Sequence, residues 1–118
     1  MISEVLEKDG VTVVRITGRL DISNAPQVKA KAYELVNSGQ ARMVLDLKDM
    51  NFIDSSGLGV LVSCLRRCVA AGGDLCLAEV PEFALSILEL TRLTRVFKIV
   101  GSEADGVAVL KVAGSAGT

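Results

Sequence analysis

From Val11 to Lys111, short apolar runs alternate with stretches of helical period, and a Gly or Pro stop divides most of them. No other feature constrains the fold as much, because strands separated by helices pair in parallel through right-handed crossovers. Residues 11–17, 42–47, 74–78 and 97–100 read as strands. A first helix starts at Ser23-Asn24-Ala25-Pro26, a capping side chain followed by Pro in the first turn, and stops at Asn37-Ser38-Gly39. Val28, Ala32, Leu35 and Val36 form its apolar face. A second helix over 58–69 is stopped by Ala71-Gly72-Gly73. Val80-Pro81-Glu82 opens a third, with Ala84, Ile87 and Leu88 inward, and residues 91–94 turn. Ser102 caps a short last helix to about Lys111.

Residues 2–7 form one more strand, joined to the 11–17 run by Lys8-Asp9-Gly10. Asp-Gly between apolar runs is a hairpin signal, so this strand pairs antiparallel. The 11–17 run alternates imperfectly, as a strand covered on both faces does, and Gly18-Arg19-Leu20-Asp21 leaves it. The predicted class is α/β: one domain over 1–112, order β-β-α-β-α-β-α-β-α, with a mixed, mostly parallel five-stranded sheet and four helices. The small, polar residues 113–118 are expected to form a flexible tail.

At 118 residues the chain is long enough for one core. Half of it is apolar, yet no run approaches the roughly 20 residues that cross a bilayer. Met1-Ile2-Ser3-Glu4 lacks a basic stretch leading into an apolar block, so no signal peptide is expected. The expected location is cytoplasmic, without membrane insertion. Thirteen basic against fourteen acidic residues argue against a chain-wide draw to nucleic acid, and three Phe, one Tyr and no Trp make no stacking platform. Cys64, Cys68 and Cys76 fit no secreted framework. Without His, a closed zinc site would need an acidic fourth ligand, so buried thiols in a reducing compartment are expected, with no metal and no cofactor.

The second helix follows Asp54-Ser55-Ser56-Gly57-Leu58-Gly59. Stepping 100° per residue puts Leu58, Leu61, Val62, Leu65, Cys68 and Val69 on one face, and Ser56, Gly59, Val60, Ser63 and Arg67 on the opposite, outward one. A serine nucleophile needs a base, but His is absent and no Ser-x-x-Lys occurs. Gly57 and Gly59 give only Gly-x-Gly, short of a phosphate-binding loop. Asp21, Asp46, Asp49 and Asp54 could gather at strand ends, though ordinary loop and cap roles are the default. Spacing leaves two readings of Ser55 and Ser56: a helix cap, or hydroxyls at a helix N-terminus that tolerates a phosphate. The outward face, small apart from Val60 and Arg67, suits a docked partner.

Asn51-Phe52-Ile53-Asp54-Ser55-Ser56-Gly57-Leu58-Gly59-Val60-Leu61 closely resembles the signature of the anti-sigma-factor antagonists, free-standing STAS domains of bacterial regulation. The likeness continues in Gly18-Arg19-Leu20-Asp21, in Gly72-Gly73 and in Leu93-Thr94-Arg95-Val96-Phe97-Lys98-Ile99, and spans about Ile2 to Lys111. The resemblance implies a non-catalytic partner switch. An anti-sigma factor with serine kinase activity would bind the unmodified protein, release its sigma factor, and phosphorylate Ser56; a serine phosphatase would reset it. The implied partner surface comprises Asp21, Ser23, Asp54, Ser55, Ser56, Gly57, Gly59, Val60, Ser63 and Arg67, with the whole Leu20-Asp21-Ile22-Ser23 loop lying beside the serine. Two other roles compete: an accessory STAS subunit of a transporter or multi-protein signalling assembly, and a nucleotide-binding enzyme.

Overall fold

The computed structural model describes residues 1–111. The domain boundary at 112 and the tail over 113–118 lie outside the described residues. Strands β1 (Ile2–Lys8), β2 (Val11–Leu20), β3 (Arg42–Ile53), β4 (Asp74–Ala78) and β5 (Lys98–Val100) form one sheet in the order β1-β2-β3-β4-β5. Only the β1–β2 pair is antiparallel. Asp9 and Gly10 join these two strands with φ of 54° and 79°, as a tight two-residue hairpin loop requires.

Helices α1 (Ala25–Asn37), α2 (Ser55–Ala70), α3 (Glu82–Leu90) and α4 (Glu103–Leu110) cover both faces. On one face Val14, Ile16, Met43, Leu45, Leu75 and Leu77 meet α1, α2 and α3. On the other, Val11, Val13, Val44, Cys76 and Ala78 meet Val107 and Leu110 of α4. Alternate residues of β2 therefore enter different cores, which accounts for its imperfect polar alternation. All three thiols are buried, and burial pushes them up to about 12 for Cys64 and about 11 for Cys68 and Cys76. They are poor nucleophiles.

Two strands run further than the sequence pattern indicates. β2 continues to Leu20 instead of leaving at Gly18, and β3 continues from Leu47 to Ile53. Past Asp46, the last β3 residue paired with β4, they form a two-stranded ribbon with irregular register near Gly18, whose φ is +73°. Such bulges shift the side-chain period, so buried Met50 and Ile53 fall out of the alternation that marks a strand.

The outward face expected for α2 is corrected. Gly57, Val60, Leu61, Cys64, Leu65 and Cys68 are buried, whereas Val69 is 54% exposed and Val60 only 6%. Apolar residues encircle much of this helix, so period alone centres its buried stripe poorly. Its rotation follows from Gly57, where a Cβ would sit 2.3 Å from the Leu20 carbonyl oxygen and 2.7 Å from Ile53 Cγ1. Only glycine admits this approach. Elsewhere Ala84 and Leu88 point inward with Ile87 half-buried, Phe97 is buried just before β5, and Ser102 Oγ caps α4 by accepting from Asp105 N at 3.1 Å.

A clasp ties α4 to the sheet. Arg15 donates to both Glu103 oxygens, at 2.7 and 2.9 Å, and to Glu4 at 2.8 Å. Asp46, paired in register with Arg15, is pushed up to about 6 by burial and by Glu103; Arg15 in turn holds Glu103 down to about 2.

Two outcomes follow for urea denaturation. Val60→Ala lowers stability by about 2 kcal/mol, while Val69→Ala stays within about 0.5 kcal/mol. Because native Asp46 holds a proton that the unfolded chain releases between its ordinary 3.8 and about 6, its contribution falls as pH rises across that window. Asp46→Asn mimics the protonated carboxyl, so it should exceed the parent in stability at pH 8 and lose that advantage by pH 4.

Candidate functional site

The β2–β3 ribbon determines where the site forms. Leu20 and Ile53 are register partners at its end, so the segments that follow them leave the sheet side by side. Asp54 lies at the start of one, with extended backbone (φ −113°, ψ −172°), and caps α2. Its Oδ1 accepts from Gly57 N at 2.9 Å, and its Oδ2 accepts from Ile22 N in the turn after β2 at 3.1 Å. A single carboxylate thus satisfies an otherwise unpaired helix amide and ties α2 to the β2–α1 turn.

Because Asp54 takes the capping role, Ser55 and Ser56 do not, and that reading of the serines is corrected. They are the first two residues of α2; Ser55 is exposed and Ser56 half-buried. Among the described residues neither hydroxyl makes a hydrogen bond, and no acceptor meets the Ser55 or Ser56 amide.

The neighbouring turn is internally locked. Asp21 Oδ1 accepts from Ser23 Oγ at 2.5 Å and from Ser23 N at 3.0 Å, and its Oδ2 accepts from Arg19 Nε at 2.9 Å. The Ser23 hydroxyl and then Arg19 hold the Asp21 carboxyl below the usual range. The Ser23-Asn24-Ala25-Pro26 start predicts a capping side chain for α1, and Asn24 occupies the cap position without supplying one. Instead its Oδ1 accepts from Asp21 N at 3.0 Å and its Nδ2 donates to the Arg19 carbonyl at 2.7 Å, leaving α1 without a side-chain cap. The Arg19 guanidinium stacks 3.9 Å over the Phe52 ring. Ile22 crowns the turn, 74% exposed. Between the first turns of α1 and α2 opens a cleft of about 280 Å³, lined by Ile22, Ala25, Pro26, Lys29, Ser56 and Val60.

The structure therefore brings together Asp21, Ser23, Asp54, Ser55 and Ser56. Gly59 follows one turn on, exposed, with nothing within 4 Å of where a Cβ would stand. Gly57 is buried and structural, and Val60 contributes only to the lining of the cleft. Ser63 is half-buried two turns along α2. Arg67 lies about 16 Å from Ser56 at the usual helical rise, hydrogen-bonded to Asn37 and over the Tyr33 ring. Of the scattered carboxylates, Asp21 and Asp54 follow adjacent strand ends but serve as turn and cap residues, the default reading, and Asp46 lies beside the α4 clasp. Ile22 belongs to the Leu20-Asp21-Ile22-Ser23 loop that the family resemblance sets beside the serine, and it lines the cleft with Ser56. Lys29 and Phe52 were not legible as site residues, since nothing in the period of α1 distinguishes Lys29.

Among the described residues no helix is long and apolar enough to cross a membrane. The sequence matches the STAS domain family over residues 3–106. It is 30% identical over 104 residues to the anti-sigma F factor antagonist of Paenibacillus polymyxa, covering 87% of this chain and 89% of that one. It is also 30% identical over 104 residues to the anti-sigma-B factor antagonist of Bacillus subtilis, covering 88% and 94%. A solved structure from Thermotoga maritima superposes with a TM-score of 0.87 at 28% identity, over 92% of this chain and 94% of that one.

Urea denaturation separates a cap from a free hydroxyl. Ser55→Ala and Ser56→Ala should each change stability by less than about 0.5 kcal/mol. Asp54→Ala should cost about 1–2 kcal/mol, since it releases two amides at once.

Proposed function

We propose that this chain, which belongs to the STAS domain family, works as an anti-sigma factor antagonist switched by phosphorylation of Ser56. The unmodified protein binds an anti-sigma factor that is also a serine kinase, and the sigma factor is released. The kinase moves the γ-phosphoryl group of ATP to Ser56 Oγ, yielding ADP and a proton, and the complex separates. A serine phosphatase restores the hydroxyl. The protein works in the cytoplasm without cofactor, nucleic acid or membrane insertion.

The observation that carries this reading is the unbonded Ser56 hydroxyl at an open helix N-terminus, beside a cleft and an exposed, rigid turn. It suits a substrate serine better than a nucleophile. The chain has no His to serve as a base, and the nearest carboxylate by sequence, Asp54, accepts from two backbone amides and not from the Ser56 hydroxyl. Gly59 adds support. An exposed glycine inside a helix costs about 0.5–1 kcal/mol relative to Ala, and nothing in the fold requires it. Close approach of a partner to this turn is a reason to keep it.

Magnitudes favour an effect at the interface over one on the fold. A phosphate brings about −1.5 to −2 charge. At a helix N-terminus that charge is favoured by about 0.3–1 kcal/mol, and repulsion from Asp54 opposes it by a similar amount. Both are small beside a domain stability of about 5–15 kcal/mol. Desolvating a dianion under a docked partner costs several kcal/mol.

Incubation with serine kinases of the source organism and ATP, followed by mass spectrometry, should find phosphate on Ser56. Label on Ser55, or on neither serine, contradicts the assignment. Ser56→Asp should keep the unfolding transition and lose at least tenfold in affinity for the kinase, while Ser56→Ala binds and is not switched off.

A further inference from the structure

Among the described residues, the cleft beside Ser56 has one charged residue in its lining, Lys29, and its sign is opposite to that of a phosphate. Among the described residues Lys29 makes no ion pair, unlike Lys31, which meets Glu34 at 3.4 Å on the same helix. Its ammonium stands 5.4 Å from the centroid of the Tyr33 ring, an exposed contact of the weak kind. Arg67 of α2 stands over the same ring at 5.4 Å, so Tyr33 and the ammonium lie at the seam between α1 and α2. The other cation beside the site, Arg19, is already paired with Asp21 and stacked on Phe52.

We propose that Lys29 is the counter-ion of the phosphoryl group on Ser56, its ammonium leaving Tyr33 to bridge the cleft from α1 to α2 once the serine is modified. The inference rests on Ser56 being the modified residue and adds what the modification does locally. A flexible stem with a point charge at its end can turn from an aromatic ring to a dianion across a narrow cleft. The pair would occupy the cleft and withdraw both its apolar wall and the Lys29 cation from a partner. One modification would then alter shape and charge together.

The charged groups around the phosphate act in opposite directions. Asp54 at the cap and Asp21 in the neighbouring turn favour the monoanion; Lys29 on α1 and the open amides of Ser55 and Ser56 favour the dianion. The effect of Lys29 can be isolated in protein carrying phosphoserine at position 56, introduced during synthesis so that no kinase is needed. In a ³¹P NMR titration the second ionisation of the phosphate should occur roughly 0.2–0.7 pH unit lower in the parent than in Lys29→Gln, the range expected of an exposed ion pair. Lys29→Arg should keep the lower midpoint, and Lys31→Gln should leave it unmoved. The difference should shrink in ~1 M salt. Equal midpoints in the parent and Lys29→Gln would overturn the pairing. Absence of kinase labelling at Ser56, measured separately, would overturn the switch itself and leave these midpoints unaffected.

Discussion

The carboxylate of Asp54 accepts from the third residue of α2 with one oxygen and from the β2–α1 turn with the other, and the geometry of the site depends on that bridge. Neither segment is in the sheet. They are neighbours because β2 and β3 run on together to Leu20 and Ile53. Gly57 lets α2 descend onto the Leu20 carbonyl, and Asp54 then joins helix to turn. With the cap supplied from outside the helix, two serines in its first turn are left with free hydroxyls.

That arrangement separates the stability of the domain from the chemistry of its surface. The core is sealed by residues on both faces of the sheet, and α4 is held by Arg15 and Glu103 at some remove from Ser56. Around Ser56, the turn that carries Ile22 is fixed by the Asp21, Ser23 and Asn24 hydrogen bonds, so it presents a surface of constant shape. On such a surface the proposed modification of Ser56 would need no conformational change to act. New charge is sufficient, provided that a partner must cover it.

Much of this was legible in the sequence. Apolar runs bounded by Gly and Pro gave the element order, Asp9-Gly10 gave the hairpin, and Ser102 gave the cap of α4. The extra length of β2 and β3 was hidden because bulges shift the side-chain period just where the ribbon leaves the sheet. The buried stripe of α2 was misjudged because its orientation follows from a close approach at Gly57, a tertiary contact that periodicity does not encode. Asp54, Ser55 and Ser56 were found as a group, but not the division of labour among them. Which of three adjacent polar residues caps a helix depends on the angle at which the strand arrives. Lys29 was invisible for a similar reason: it matters only because α1 and α2 start at the two edges of one cleft.

Modification of Ser56, as proposed, changes a surface and leaves the fold alone. Backbone amide NMR of the unmodified protein, compared with protein carrying phosphoserine at position 56, tests this most directly. The predicted result is a set of shift changes confined to the β2–α1 turn, the first turns of α1, and the Asp54–Val60 region, with the spectrum of β4, β5 and α4 unchanged. Changes spread through the sheet and α4, or loss of the dispersed spectrum, would contradict it.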